Sequence, residues 1–192
     1  KLQYPNPNDY QAFMGIVSSV LGFSSLITTL FIGGFVTRHY GWLCSARVTP
    51  ILIGLTGIGF LFLYLCKDIL IAPLALVGLT PLMVIIVVGA MQNILGKTLK
   101  YSFFDTTKEM AFIPLDEECK VKGKAAIDVV AARFGKSSSS WIQMLLIELV
   151  GGGSVLGITH YLAPFIVITS VAWLSAVNTV GKEFENMNKQ DS

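Results

Sequence analysis

Charged residues are scarce in this chain of 192 residues. Lys, Arg, Asp and Glu make up only 14% of the sequence, whereas soluble domains average about 25%. The mean hydropathy is +0.67, and the net charge of +2 is too small to indicate a nucleic-acid-binding surface. The composition therefore predicts an all-α membrane protein, a polytopic helical bundle, with no nucleic-acid partner.

Cysteine and histidine are also few, and their spacing argues against metal chemistry. Cys44, Cys66 and Cys119 form no close pair, so neither a disulfide framework nor a thiolate metal site is predicted. His39 and His160 lie far apart without ligand-like neighbours. No Ser/His/Asp or Cys/His set accompanies the acidic residues. We expect no metal, no cofactor and no enzymatic activity.

The scarcity of charge leaves long uncharged runs, which predict five membrane-spanning helices. A run of about 20 apolar residues, at about 1.5 Å per residue, crosses the hydrocarbon core of a bilayer. Such runs lie at about 14–36, 48–66, 69–95, 141–161 and 163–180. The odd number of spans and a first residue other than Met indicate that residues 1–192 form the C-terminal transmembrane half-domain of a longer protein. The tail from Gly181 is predicted to be disordered.

Two polar segments separate these runs. Thr37–Pro50, which carries Arg38 and Arg47, is predicted to be a short loop, and the positive-inside rule places it on the cytoplasmic side. Residues 97–140 form a longer polar segment that holds 14 of the 26 charged residues and falls on the same side. Pro73 and Pro81 interrupt the third run, and either can kink a helix because proline lacks the amide donor.

The long polar segment contains signals for a helix. Three consecutive acidic residues, 116–118, are typical of a first helical turn, because carboxylates interact favourably with the positive end of the helix dipole. Apolar residues then recur at helical spacing. We therefore predict an amphipathic helix from about Glu117 to Phe134, capped by Gly135 and lying along the membrane surface.

Gly135-Lys136-Ser137 resembles the end of a phosphate-binding P-loop. The motif is rejected because Val130 stands where it requires a glycine and because no strand precedes it. Two interpretations of Lys136 and the serines 137–140 remain open. They could hold phosphate at the start of the fourth span, where helix amides are free, or they could be an ordinary basic flank with serine capping.

Other charged residues also allow two interpretations. The cations of the long polar segment are either topology signals or a group that attracts a polyanion to a cavity between helices: Lys120, Lys122, Lys124 and Arg133. Glu148 is the charged residue in the middle of a predicted span. It is either a functional relay or a protonated structural residue. The glycines 151–153 favour a packing seam over a binding loop.

Long stretches of the chain resemble the ATP/ADP translocases of plastids and obligate intracellular bacteria. The opening YPNPNDYQAFMG and the RHYGW segment carry this resemblance, and so does the signature loop over residues 97–140. The quoted parts of the loop are Tyr101–Asp105, Lys108–Glu118, Lys122–Val130 and Gly135–Ser137. The resemblance implies a transporter of about twelve helices, similar in architecture to the major facilitator superfamily, of which this chain is the C-terminal part.

The resemblance also implies a function and a set of residues. Family members exchange external ATP for internal ADP plus phosphate, so ATP, ADP and phosphate are the expected partners, together with membrane lipid and the missing N-terminal half of the same chain. The signature lysines, Lys108, Lys124 and Lys136, are expected to contact phosphate or to form gating pairs with Glu109 and Asp128. The expected location is a bacterial inner membrane or a plastid inner envelope.

Two alternatives to the antiporter stay open. A proton-coupled net importer of nucleotides would use Glu148 as its coupling residue. A membrane scaffold without transport activity would use the polar segment to bind a partner protein.

Overall fold

The computed structural model describes residues 6–67, 69, 71, 78–150 and 158–190. All regular secondary structure in these residues is helical. The α-helices are α1 (Pro7–Ile27), α2 (Gly34–Leu65), α3 (Pro81–Leu99), α4 (Asp105–Ala111), α5 (Glu117–Ala125), α6 (Ala132–Val150) and α7 (Thr159–Gln190). Three π-helical turns, Thr28–Gly33, Lys100–Phe104 and Ala126–Ala131, connect consecutive helices without a break.

The helical stretch that begins with α1 changes direction sharply at Gly41, inside α2. Asn6 caps α1, since its side-chain oxygen accepts a hydrogen bond from the Asn8 amide at 3.1 Å. Within α2, Gly41 has φ 81° and ψ 173°, a backbone conformation that is unfavourable for residues with a β-carbon. Thr37 and Ser45 share a hydroxyl hydrogen bond of 2.8 Å. Residues eight apart in a straight helix are about 12 Å apart, so the chain reverses between them.

The polar segment Thr37–Pro50 is therefore not a loop. Its residues are helical on both sides of Gly41, and Pro50 lies inside α2. The sequence prediction of a loop was wrong here because a single glycine with positive φ is sufficient to reverse the chain. The short connection keeps Arg47 inside α2, next to buried Ser45, Ala46 and Thr49.

The third helical segment begins at Pro81 and continues into the predicted polar loop. Thr80 caps α3 by accepting a hydrogen bond from the Met83 amide at 3.3 Å. Pro81 occupies the first turn, where its missing N–H has no intrahelical partner to lose, so it does not kink the helix. Pro73, the other proline at which a kink was expected, lies outside the described residues. Through the π-turn Lys100–Phe104, helix α3 runs on into α4 as far as Ala111.

The second half of the polar segment is one long helical stretch, Glu117–Val150. Its start at Glu117 agrees with the prediction, and Glu117 and Glu118 form the acidic first turn. The predicted cap at Gly135 is wrong, since Gly135 lies inside α6. Among the described residues, positive φ angles occur only at Gly41 and Gly78, so Gly135 lacks the left-handed conformation of a glycine cap. No residue of this stretch is buried.

Helix α7 packs along α2 and closes the bundle. A β-carbon at Gly54 of α2 would lie 2.8 Å from the Ser170 hydroxyl oxygen, so glycine permits the close approach of the two helices. Pro164 lies inside α7. The residues 181–190, predicted to be disordered, belong to this helix, and Phe184 stacks on Trp42 with ring centroids 5.0 Å apart. Aromatic packing explains why that prediction failed.

The described residues contain three helical segments long and apolar enough to cross a membrane. They are Pro7–Leu65, which includes the reversal at Gly41, Pro81–Ala111 and Tyr161–Met187. Large apolar side chains cover much of the outer surface, and Phe23 and Phe31 are 75% and 70% exposed. The prediction of an all-α polytopic membrane protein is confirmed. The five span boundaries stay predictions, and residues 151–157, with the predicted glycine seam, lie outside the described part.

Candidate functional site

Four charged side chains of the predicted site form one ion-pair network, which we call the lysine network: Lys108, Glu109, Lys124 and Asp128. Lys108 Nζ lies 2.7 Å from Asp128 Oδ1 and 3.6 Å from Glu109 Oε1. Lys124 Nζ lies 2.5 Å from Glu109 Oε2. Lys108 and Glu109 belong to α4, Lys124 to α5 and Asp128 to the π-turn that follows α5. The network therefore connects α4 to α5 and to the π-turn that follows α5, across the turn at residues 112–116.

The local fold explains why these residues meet. Helix α4 ends at Ala111, and Phe112–Leu115 turn the chain, with the Leu115 amide bonded to the Phe112 carbonyl at 3.3 Å. Helix α5 then returns past α4. Gly123 lies against the Phe112 ring, and the Lys124 ammonium lies 5.8 Å from the centroid of the same ring. The aromatic side chain in the turn thus positions the cation that pairs with Glu109.

The network is electrically neutral, because its two ammonium groups face two carboxylates. Lys108 is its most shielded member, with a side chain 19% exposed against 44% for Asp128. Three further lysines of the segment are also paired with carboxylates, as Lys100–Asp105, Lys120–Glu117 and Lys122–Glu118. A count of cations in the sequence therefore overstates the positive charge that this segment offers to an anion.

Lys136 and Glu148 are not part of the lysine network. Both lie on α6 with exposed side chains, and neither forms an ion pair with a residue that the structure describes. The hydroxyls of Ser139 and Ser140 donate hydrogen bonds to the Lys136 carbonyl. Since these serines lie within α6, the predicted helix N-terminus with free amides at this position is wrong.

An apolar cavity of about 410 Å³ adjoins the lysine network. Lys108 lies at its lining, together with Trp42, Phe104, Trp173 and Phe184. The indole N–H of Trp42 donates to the Thr107 carbonyl at 2.8 Å, and the Thr107 hydroxyl donates to the Phe103 carbonyl at 2.7 Å. Because these polar groups are bonded within the protein, most of the cavity wall is hydrocarbon and aromatic surface, with Lys108 and Glu183 as its charged lining residues.

Arg47 makes an interhelical contact that was not among the predictions from the sequence. Arg47 lies on α2, half-buried, and its Nε donates a hydrogen bond of 2.8 Å to the Asn178 side-chain oxygen on α7. Sequence reasoning treated Arg47 as a topology signal in a loop. The sequence did contain a signal for this contact. Arg47 stands between the small residues 45–46 and Thr49 at the start of an apolar run, and small residues are typical of helix faces that pack closely.

His, Cys, Asp and Glu side chains are the groups that most often hold a metal. No group of three or more His, Cys, Asp or Glu side chains suited to a metal lies within the described ranges. The Cys119 thiol is hydrogen-bonded to Asp116, and this bond raises the pKa of Cys119. The bond therefore favours the thiol over the thiolate, and the thiolate is the nucleophilic form.

Comparisons with known proteins identify relatives. The family model described as TLC ATP/ADP transporter matches residues 1–184. The chain is 53% identical over 184 residues to ADP,ATP carrier protein 1 of Chlamydia trachomatis, covering 96% of this chain and 34% of the relative. It is 42% identical over 191 residues to the plastidic ATP/ADP-transporter of Solanum tuberosum, covering 100% and 30%. ADP,ATP carrier protein 4 of Rickettsia felis is 38% identical over 197 residues, covering 97% and 36%.

The chain thus spans about a third of the length of the curated relatives it matches. No solved structure matches it.

Proposed function

This chain belongs to the TLC ATP/ADP transporter family, and we propose that the complete protein exchanges ATP for ADP across a membrane by alternating access. The observation that carries the proposal is the match over almost the whole chain to relatives named as ADP,ATP carriers. The three membrane-crossing segments and the charged side chains beside their ends are consistent with a carrier of anions. The resemblance to the major facilitator architecture is part of the same proposal.

The lysine network supplies the proposed gate. Phosphate oxygens compete well with carboxylates for ammonium groups, because both form charge-assisted hydrogen bonds. A nucleotide that reaches Lys108 or Lys124 therefore displaces Asp128 or Glu109 and releases α4 from α5. Without nucleotide, the carboxylates hold both helices together. A carrier that changes conformation only when loaded performs exchange rather than net transport.

Two residues of α6 complete the proposed set. Lys136 is the third phosphate contact, since its exposed ammonium is not neutralised by a carboxylate of the described residues. Glu148 is the coupling residue of the proton-linked alternative, because an ionisable group in a membrane helix is costly to retain without a role. Both assignments require α6 to face the substrate pathway in the complete protein.

The proposed partners follow from this function. ATP, ADP and phosphate are substrates, and lipid contacts the exposed apolar side chains of the spans. The N-terminal part of the same protein completes the pathway. The proposed location is a bacterial inner membrane or a plastid inner envelope, since the relatives come from Chlamydia, Rickettsia and chloroplasts.

A counter-exchange assay tests the proposal. The full-length protein is reconstituted into vesicles loaded with ADP, and uptake of labelled ATP is measured. We expect rapid uptake into ADP-loaded vesicles and little uptake into empty ones. The net importer would be established instead by two results: uptake that follows a proton gradient without internal ADP, and loss of this uptake in the Glu148→Gln variant. A protein that moves no nucleotide under either condition contradicts both forms of transport.

A further inference from the structure

Arg47 differs from the other cations at this end of the bundle in what surrounds it. It is half-buried between α2 and α7, where it bridges the two helices through the 2.8 Å hydrogen bond from Nε to Asn178. The six ion pairs among the described residues all involve lysine, and none involves Arg47. A half-buried guanidinium in a membrane bundle normally has a carboxylate partner, because an uncompensated charge is costly to remove from water.

The Asn178 side chain can orient Arg47 and still leave it able to bind an anion. As an amide it accepts the Nε–H without neutralising the positive charge. Its bond occupies one of the five guanidinium N–H groups, and no hydrogen bond or ion pair to the described residues involves Nη1 or Nη2. The two Nη groups form the planar fork that binds phosphate oxygens in pairs. The contact thus orients the side chain, and within the described part of the chain it leaves both the charge and the fork available.

We propose that Arg47 binds a phosphate group of the transported nucleotide and that Asn178 is its positioning residue. The inference rests on the proposed function, since it assumes that the anion crossing this bundle is a nucleotide. It differs from the roles of the signature lysines, whose charges are balanced in the lysine network until substrate displaces the carboxylates. Arg47 requires no such displacement. It therefore makes the first strong phosphate contact, and the paired lysines respond afterwards.

The first test compares two arginines of α2. In the full-length protein reconstituted in vesicles, Arg47→Gln is expected to raise the KM for ATP by about tenfold or more, because a bound phosphate loses a charge-assisted fork. Arg38→Gln is the matched control. It removes the same charge from the same helix, but Arg38 is exposed and forms none of the ion pairs. Rates are normalised to the protein in the vesicles. An unchanged KM in Arg47→Gln overturns the inference.

The second test separates substrate binding from a purely structural bond between α2 and α7. Asn178→Asp keeps the shape of the side chain and strengthens the bond to Arg47 by supplying a carboxylate. If the contact only holds the helices together, this variant exchanges normally and is at least as heat-stable as the unmodified protein. If Arg47 binds phosphate, the carboxylate occupies its fork, and the KM for ATP rises by about tenfold. Normal exchange by Asn178→Asp overturns the proposal.

Two further variants keep the test decisive if Arg47→Gln does not fold. Arg47→Lys retains the charge but loses the planar fork, and we expect a KM between those of the unmodified protein and Asn178→Asp. Asn178→Ala removes the orienting bond and leaves the charge, so its KM rises less than that of Asn178→Asp. The opposite order for the two Asn178 variants contradicts the inference. Failure of the unmodified protein to exchange ATP contradicts the proposed function instead, so the two failures are distinguishable.

Discussion

The cations of this protein fall into two groups that differ in what faces them. Lys108 and Lys124 are joined to Glu109 and Asp128 across the turn between α4 and α5, and the four formal charges cancel. Arg47, between α2 and α7, meets a neutral amide instead. An anion must therefore break existing ion pairs to reach Lys108 or Lys124, whereas at Arg47 it meets no carboxylate of the described residues. The lysine network is suited to gating, whereas the Arg47 contact is suited to binding.

A double-mutant cycle on Lys108 and Asp128 tests the gate and is expected to lower ATP exchange more than the variants described below. Each single change to Ala leaves a charge in the network without its main partner, and we expect exchange to fall by about tenfold in each. The double variant is expected to recover part of the loss if the pair acts as a gate. The measurement is ATP uptake into ADP-loaded vesicles. A double variant as inactive as Lys108→Ala would show that the loss comes from the missing ammonium and not from the unpaired Asp128, and would contradict a gate formed by this pair.

Lys136→Ala tests whether this cation of α6, which forms no ion pair with a described residue, contacts phosphate as proposed for Arg47. Removing an exposed charge near a phosphate costs about 1 kcal/mol, which corresponds to about a fivefold weaker interaction. We therefore expect Lys136→Ala to lower exchange at limiting ATP by about this factor, with a smaller effect at high salt. Lys97→Ala, another exposed lysine outside the ion pairs, is the control. Undiminished exchange removes Lys136 from the site.

Phe184→Ala separates helix packing from substrate binding, and we expect it to have the smallest effect on ATP exchange. Phe184 stacks on Trp42 beyond the end of the predicted last span and holds the same helix that carries Asn178. Loss of the ring is expected to lower stability by about 1 kcal/mol and to raise the KM for ATP only slightly, because the bond between Arg47 and Asn178 is retained. Thermal unfolding in detergent and the KM are the two readouts. A large rise in KM with unchanged stability would indicate that the aromatic pair itself contacts substrate.

The sequence predicted those features that depend on composition and on neighbouring residues. Scarce charge and long apolar runs indicated membrane helices, and the acidic residues 116–118 indicated the helix start at Glu117, which the structure contains. The lysines and carboxylates of the network were also named as possible partners. Local rules failed at glycine and proline. Gly41 reverses the chain while Gly135 continues a helix, and Pro81 begins a helix rather than kinking one.

Scarce charge and long apolar runs are sufficient to specify an all-α membrane protein, because a charge in hydrocarbon is costly however the spans pack, and the spans therefore contain few charged residues. The amino-acid sequence by itself also determined the supply of cations near one end of the bundle. Only the tertiary structure decided which cations are neutralised and which keep their charge. That outcome depends on contacts between residues far apart in the chain, 131 positions for Arg47 and Asn178, and such contacts are fixed by helix packing rather than by local sequence pattern.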